Sequence, residues 1–224
     1  MVWTDLVQLG SAILVIVGAI LPVVNPPGDA PLFLQMTAGC DDQTRGMLAR
    51  RIAVYSFALL LGTLLFGSLV LRLFGLTVPV IQLAGGAVVC ALGWKLLSDE
   101  VKPVNMPIDS RQASAIAMAK AFYPLTMPLT IDPGVLSVAV TVGANHAMTI
   151  EMMVVQVTAA VIGAALVSLA VWFTYRYAGY FAARIGHQGM MIIIRLSAFI
   201  VLSIGVQIGW NGVRGMLKGA GIGT

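Results

Sequence analysis

Charged residues are absent from long stretches of this chain: Leu6 to Gly28, Ile52 to Leu71, Leu73 to Trp94, Pro133 to Ile150, Met152 to Tyr175 and Leu196 to Val213. Most of these runs approach the roughly 20 residues a helix needs to cross hydrocarbon. Together they predict six helical elements, at residues 7 to 37, 48 to 72, 78 to 97, 114 to 142, 150 to 175 and 189 to 211. The first and fourth, as continuous helices, would be about 45 Å long against a hydrocarbon core of about 30 Å. Each also carries a proline- and glycine-rich stretch, LPVVNPPGDAPLF (Leu21 to Phe33) and YPLTMPLTIDPGVL (Tyr123 to Leu136). Proline removes a backbone donor and clashes with the carbonyl four residues earlier, so both elements are expected to break.

Composition turns this pattern into a class. The chain is 59% hydrophobic and only 10% charged, where a soluble domain is about 25% charged. It reads as an all-α membrane protein with one polytopic domain over residues 1–224. The first run is expected to persist as a mature spanning helix, because no Lys or Arg precedes it and no small-residue cleavage pattern ends it before the Asn-Pro-Pro-Gly break.

The net charge is +4, but the basic residues lie mainly at helix ends rather than in one surface cluster, so nucleic-acid binding is not supported. They do set an orientation. Arg45, Arg50 and Arg51 fall in the first predicted loop, Lys95, Lys102, Arg111 and Lys120 around the third, and Arg176 and Arg184 in the fifth. The opposite side has only Arg72, Arg214 and Lys218, with Arg195 left within the last element. By the positive-inside rule both termini are expected outside.

Three helices per half is an odd number, so a duplicated half enters the membrane in the opposite sense, giving inverted repeats over about residues 1–100 and 110–224. Asn25-Pro26 then pairs with Asp132-Pro133, and Ile81-Gln82-Leu83 with Ile194-Arg195-Leu196, 107 and 113 residues apart.

Irregular backbone at membrane depth is tolerated only where it is buried in protein or faces a water-filled cavity. Two matched breaks therefore point to a transporter's substrate site. Pro26, Pro27 and Gly28 stop the first helix, with Asp29 placed to cap the next half-helix. Pro124, Pro128, Pro133 and Gly134 do the same in the second half, with Asp132 at the cap position. Free amides at one half-helix end and free carbonyls at another would suit a carboxylate and an ammonium. The candidate binding residues are Asn25, Pro26, Gly28, Asp132, Pro133 and Gly134. Asp132 and Asp29 are candidates for proton coupling, since acidic groups inside spans are costly and functional by default. The competing reading is that the breaks are packing kinks.

Gly62, Gly67, Gly85, Gly86, Gly205 and Gly209 are read as helix-packing positions, Cys40 and Cys90 as buried packing residues, and Arg195 as an interfacial anchor. Gln82 lies near its helix end. His146 and His187 have no partners for a metal site, and no nucleophile–base–orienter set is present, so neither a metal nor an enzyme is expected.

Asn25-Pro26-Pro27-Gly28 followed by Pro31-Leu32-Phe33, the Leu83-Ala84-Gly85-Gly86 run, Pro124-Leu125-Thr126-Met127-Pro128 leading to Pro133-Gly134, and Val206-Gln207 together resemble the MarC family. These are six-helix bacterial inner-membrane proteins grouped with neutral amino acid transporters of the SnatA type. The resemblance covers nearly the whole chain. It implies inverted three-helix repeats whose broken first and fourth helices enclose a small neutral amino acid such as glycine or alanine. Where the family pattern reads Gly-Pro-Gly, this chain has Asp132-Pro133-Gly134. The added carboxylate would repel a substrate carboxylate, attract its ammonium, or shift preference toward a cationic or larger substrate.

The expected function is thus alternating-access transport of a small neutral amino acid across the inner membrane. No bound cofactor is expected, H+ and Na+ are the candidate coupling ions without the sequence choosing between them, and the small-residue helix faces are compatible with a homo-oligomer. A small-solute channel and a non-transporting membrane scaffold are the alternatives.

Overall fold

In a computed structural model, residues 2–98, 110–144 and 150–221 are described. All regular elements among them are helical. They are α1 (Val2–Val24), α2 (Pro26–Met36), α3 (Asp42–Leu73), α4 (Val78–Ser98), α5 (Ser110–Ala119), an irregular wide-turned segment (Ala121–Thr130), α6 (Pro133–Gly143) and α7 (Ile150–Gly219). Gly186, at φ 73° and ψ 173°, divides α7 into two arms, Ile150–Gly186 and Met191–Gly219. Among the described residues five helices are long and apolar enough to cross a membrane. The irregular segment and α6 form a further pair bent by 68°. The chain is a multi-pass membrane protein.

The helices run longer than the apolar pattern predicts. α3 begins at Asp42, capped by the Asp41 carboxylate, which accepts from Thr44 N at 3.0 Å. The Thr44 side chain and amide hold the Asp41 carboxyl below its usual range. Arg45, Arg50 and Arg51, expected in a loop, therefore lie on a helix. Arg176 and Arg184 likewise sit within the first arm of α7, over the rings of Tyr177 at 5.9 Å and Tyr180 at 4.8 Å. Charge ends a hydrophobic run without ending a helix; the helices simply project past the apolar slab. Arg72 and Lys95 occupy last helical turns. Lys102 and His146 fall outside the described residues.

The first arm of α7 is the centre of the packing. Its buried face, Ala160, Ala164, Val167, Val171, Tyr175 and Ala178, recurs every three or four residues, as one side of a helix requires. It joins Ile16, Ile20 and Val24 of α1 and Leu48, Ile52, Leu60 and Leu64 of α3 in a single cluster.

The second arm of α7 packs antiparallel on α4. A Cβ at Gly86 would stand 2.7 Å from the Gly205 carbonyl oxygen, one at Gly205 2.6 Å from Cys90 N, and one at Gly212 2.6 Å from Leu83 N. These neighbours are backbone and have no rotamer to yield. In lipid, where apolar burial drives helices together only weakly, such close approach is how packing energy accumulates. Gly67 meets Val140, and Gly85 meets α6. Gly62 departs from the packing expectation, with nothing within 4 Å of its Cβ position; a Cβ at Gly209 would also meet nothing, although the Gly209 backbone itself abuts Gly86.

Candidate functional site

At the first break the helix stops because its next two residues have no N–H to donate. Asn25 N still donates to Leu21 O at 3.0 Å. Asn25 then turns into the left-handed region, φ 44° and ψ 56°, which Asn tolerates better than most residues. Pro26 and Pro27 open α2, where their fixed φ is an advantage. The Asn25 carbonyl accepts from Gly28 N at 2.9 Å and Asp29 N at 3.2 Å. Its side-chain amide caps nothing, and Nδ2 is buried without a partner. The expectation that Asp29 caps α2 is corrected. The helix already begins at Pro26, which places Asp29 in its first turn, 7% exposed. No hydrogen bond reaches its carboxylate from the described residues.

The second break is built differently. Tyr123 and Met127 adopt extended conformations, at φ −118°, ψ 123° and φ −122°, ψ 120°, as residues before proline prefer. Both following peptide bonds are cis. The threonine two residues after each of Pro124 and Pro128 turns its hydroxyl back to a carbonyl five residues earlier. Thr126 Oγ1 donates to Ala121 O at 2.7 Å, and Thr130 Oγ1 to Leu125 O at 2.8 Å. The chain is extended at Ile131 and Asp132. α6 then starts with Asp132 as its N-cap, Oδ1 accepting from Val135 N at 2.7 Å.

Tyr175, from the first arm of α7, ties the breaks together. Its hydroxyl lies 2.9 Å from Thr130 Oγ1, and its ring stacks on Phe33 with centroids 4.6 Å apart and 10° between planes. Phe33 is one turn beyond Asp29 on the same face of α2. Asp29 lies within electrostatic range of both Asp132 and Tyr175. The result is a buried cluster of Asp29, Phe33, Thr130, Asp132 and Tyr175. Among the described residues no basic side chain pairs with either carboxylate.

The remaining candidates frame this cluster. Gly28 abuts the second arm of α7, where its Cβ would meet Asn25 Nδ2 and lie 2.8 Å from Ser197 Oγ. Gly134 abuts α4, where its Cβ would meet Val89 Cγ2. Pro133 shows its carbonyl to Gly85, 3.0 Å from that residue's Cβ position. Pro26 is buried. Gln82 Nε2 reaches Thr141 Oγ1 at 3.0 Å and so joins α4 to α6. Arg195 is exposed. No group of metal ligands forms among the described residues.

Sequence reasoning missed Phe33, Thr130, Tyr175, Val89 and Ser197 as site residues. The repeated Pro-Leu-Thr unit of residues 124–130 was the available signal for Thr130. A second space, about 580 Å³, opens near the far ends of α3 and α6 and the start of α7, lined by residues including Ser11, Ile16, Leu64, Gly143, Gln156 and Ala160. Along α1 its lining residues lie about 14–21 Å from Asn25, at 1.5 Å per residue, with Ile20 and Val24 buried between.

The pattern that carries these elements recurs in known proteins. Residues 10–217 match the model of the MarC family of integral membrane proteins. The chain belongs to the MarC family. Its MarC relatives include the membrane protein YvbG of Bacillus subtilis (strain 168), 27% identical over 88% of this chain and 92% of that protein. The inner membrane protein MarC of Citrobacter koseri is 29% identical over 89% and 92%. That of Escherichia coli O139:H28 is 27% identical over the same shares. No solved structure matches the chain. The MarC match takes in both breaks, α4 and both arms of α7.

Proposed function

We propose that the chain is a secondary transporter of the bacterial inner membrane, moving a small neutral amino acid of the glycine or alanine kind by alternating access. The observation that carries this reading is the convergence of two helix breaks, more than a hundred residues apart in sequence, on one buried polar cluster. Asp132 has a structural use as the cap of α6, but a scaffold that needed only kinks has no use for the Asp29 carboxylate, which caps nothing and is expensive to bury. The cavity of about 580 Å³, separated from that cluster by apolar residues, suits a conformation open toward one face and closed over the site.

Six spans, counting the bent pair as one, and inverted repeats fit the same reading. In each half the turn after the break packs on the third helix of the other half: Gly28 on Ser197, Gly134 on Val89. The two third helices, α4 and the second arm of α7, run antiparallel, as an in-plane two-fold axis requires. Both termini lie outside, following the basic residues. This reading gives the chain transport rather than catalysis.

Thermal stabilisation of the purified protein across an amino acid panel, wild type beside Asp132→Gly, tests the reading. A ligand that binds only the folded state raises stability with the logarithm of its saturation. Glycine, alanine or serine is expected to stabilise the wild type, to an extent the substitution changes. No stabilisation by any amino acid would favour the scaffold.

Asp132 is also proposed to carry a coupling proton, with Asp29 in electrostatic range of it and Tyr175 in range of Asp29. In liposomes Asp132→Asn is expected to retain binding and lose the dependence of uptake on a pH gradient. Unchanged dependence would remove Asp132 from that role.

A further inference from the structure

We propose that this site reads the ammonium end of its substrate and leaves the carboxylate unread, so that amines and amino acid amides bind at least as well as the parent amino acids. The proposal rests on the transporter reading and specifies its selectivity.

The argument is a census of donors and acceptors. A carboxylate entering a broken-helix site is ordinarily received by free amides at a half-helix N-terminus. Here those amides are spent. In α2, Pro26 and Pro27 have no N–H, and the amides of Gly28 and Asp29 are taken by Asn25 O. In α6, Pro133 has none, Val135 N goes to the Asp132 carboxylate, and Leu136 N goes to Asp132 O at 3.1 Å. The Gly134 amide also points to the Asp132 carboxyl. The hydroxyls of Thr126 and Thr130 donate to backbone carbonyls. Since the Thr130 proton is committed to Leu125 O, Tyr175 is the donor in the Thr130–Tyr175 bond, and its oxygen keeps its accepting capacity. Among the side chains of the two breaks the buried donor without a partner is Asn25 Nδ2, which is pressed against Gly28.

The acceptors are in surplus. Asp29 is 7% exposed, with no donor to its carboxylate among the described residues, although buried polar groups almost always have a partner. The second Asp132 oxygen and the Tyr175 oxygen stand nearby. A primary ammonium brings three donors and a positive charge, both of which this cluster lacks. A carboxylate brings more acceptors to a cluster already rich in them.

The test uses the purified full-length chain and four probes at equal concentration: alanine, alaninamide, ethylamine and propionate, each read by the shift in unfolding temperature. Alaninamide and ethylamine are expected to bind within about threefold of alanine or tighter, and propionate not at all. Asp29→Asn, close to isosteric, is expected to weaken every ammonium-bearing probe by about tenfold or more. If alanine binds while alaninamide does not, or if propionate competes with alanine, the carboxylate is read and the proposal is overturned with the transporter reading intact. If none of the four shifts the wild type, both fall. Should Asp29→Asn fail to fold, the wild-type panel alone decides.

Discussion

The two breaks reach the same result by different means. At the first, one residue does the work: Asn25 enters the left-handed region, and its backbone carbonyl collects the amides of Gly28 and Asp29. At the second, ten irregular residues are stitched by threonine hydroxyls, and the cap is the side chain of Asp132. A break held by backbone conformation leaves its side chain free, as the unbonded Asn25 amide shows. A break held by side chains commits them. The second should therefore be the less tolerant of substitution, although it contains more residues.

The largest expected effect follows from that asymmetry. Thr126→Val and Thr130→Val keep the side-chain shape but each delete a buried hydroxyl hydrogen bond, and Thr130→Val also leaves the buried Tyr175 hydroxyl without its partner, at a cost of about 1 kcal/mol for Thr126 and about 1–3 kcal/mol for Thr130. Unfolding of the purified variants in detergent measures it. No single hydroxyl at the first break has this role, so costs of less than about 0.5 kcal/mol at both threonines would erase the distinction.

Next are the glycines by which each break meets the opposite half. Gly134→Ala drives a methyl into Val89 Cγ2, and Gly28→Ala drives one into Ser197 and the Asn25 amide. Overpacking of this kind costs about 1–3 kcal/mol. The partner changes Val89→Ala and Ser197→Gly are expected to recover part of each loss in a double-mutant cycle. Coupling at one pair and not at the other would mean that the two half-helices do not dock equivalently.

Much of this was legible in the sequence because it rests on local rules. Uncharged runs locate the spans, and Pro26, Pro27, Pro124, Pro128 and Pro133 locate the breaks, since a missing donor acts on its own segment. Asp132 as a cap follows from a short carboxylate immediately before Pro-Gly. Other features depend on what another helix brings. Asp29 was expected to cap because proline and glycine together read as a stop extending to Gly28. The left-handed Asn25 instead restarts the helix at once, and Asp29 is left inside it. Tyr175 closes a long apolar run and looks like an interfacial aromatic; only the packing of α7 against α2 makes it the partner of Phe33 and Thr130. Val89 and Ser197 carry no local signal, because a helix surface becomes a contact only when its neighbour is placed. Helix ends were misread where charge was taken for termination, as at Arg176 and Arg184.

The smallest effect is also the sharpest discriminator, because it predicts opposite signs at equivalent positions. Asn25→Gly replaces a residue at φ 44° with one that pays no penalty there, and removes a buried amide that lacks a partner. It is expected to leave stability unchanged or raise it by about 0.5 kcal/mol. Asp132→Ala, at the matching position of the second half, deletes the acceptor of Val135 N and is expected to cost about 1 kcal/mol. Unfolding curves of the two variants beside wild type give both signs in one experiment. If Asn25→Gly destabilises as much as Asp132→Ala, then the Asn25 side chain is committed after all. The first break would then be held by side-chain bonding like the second.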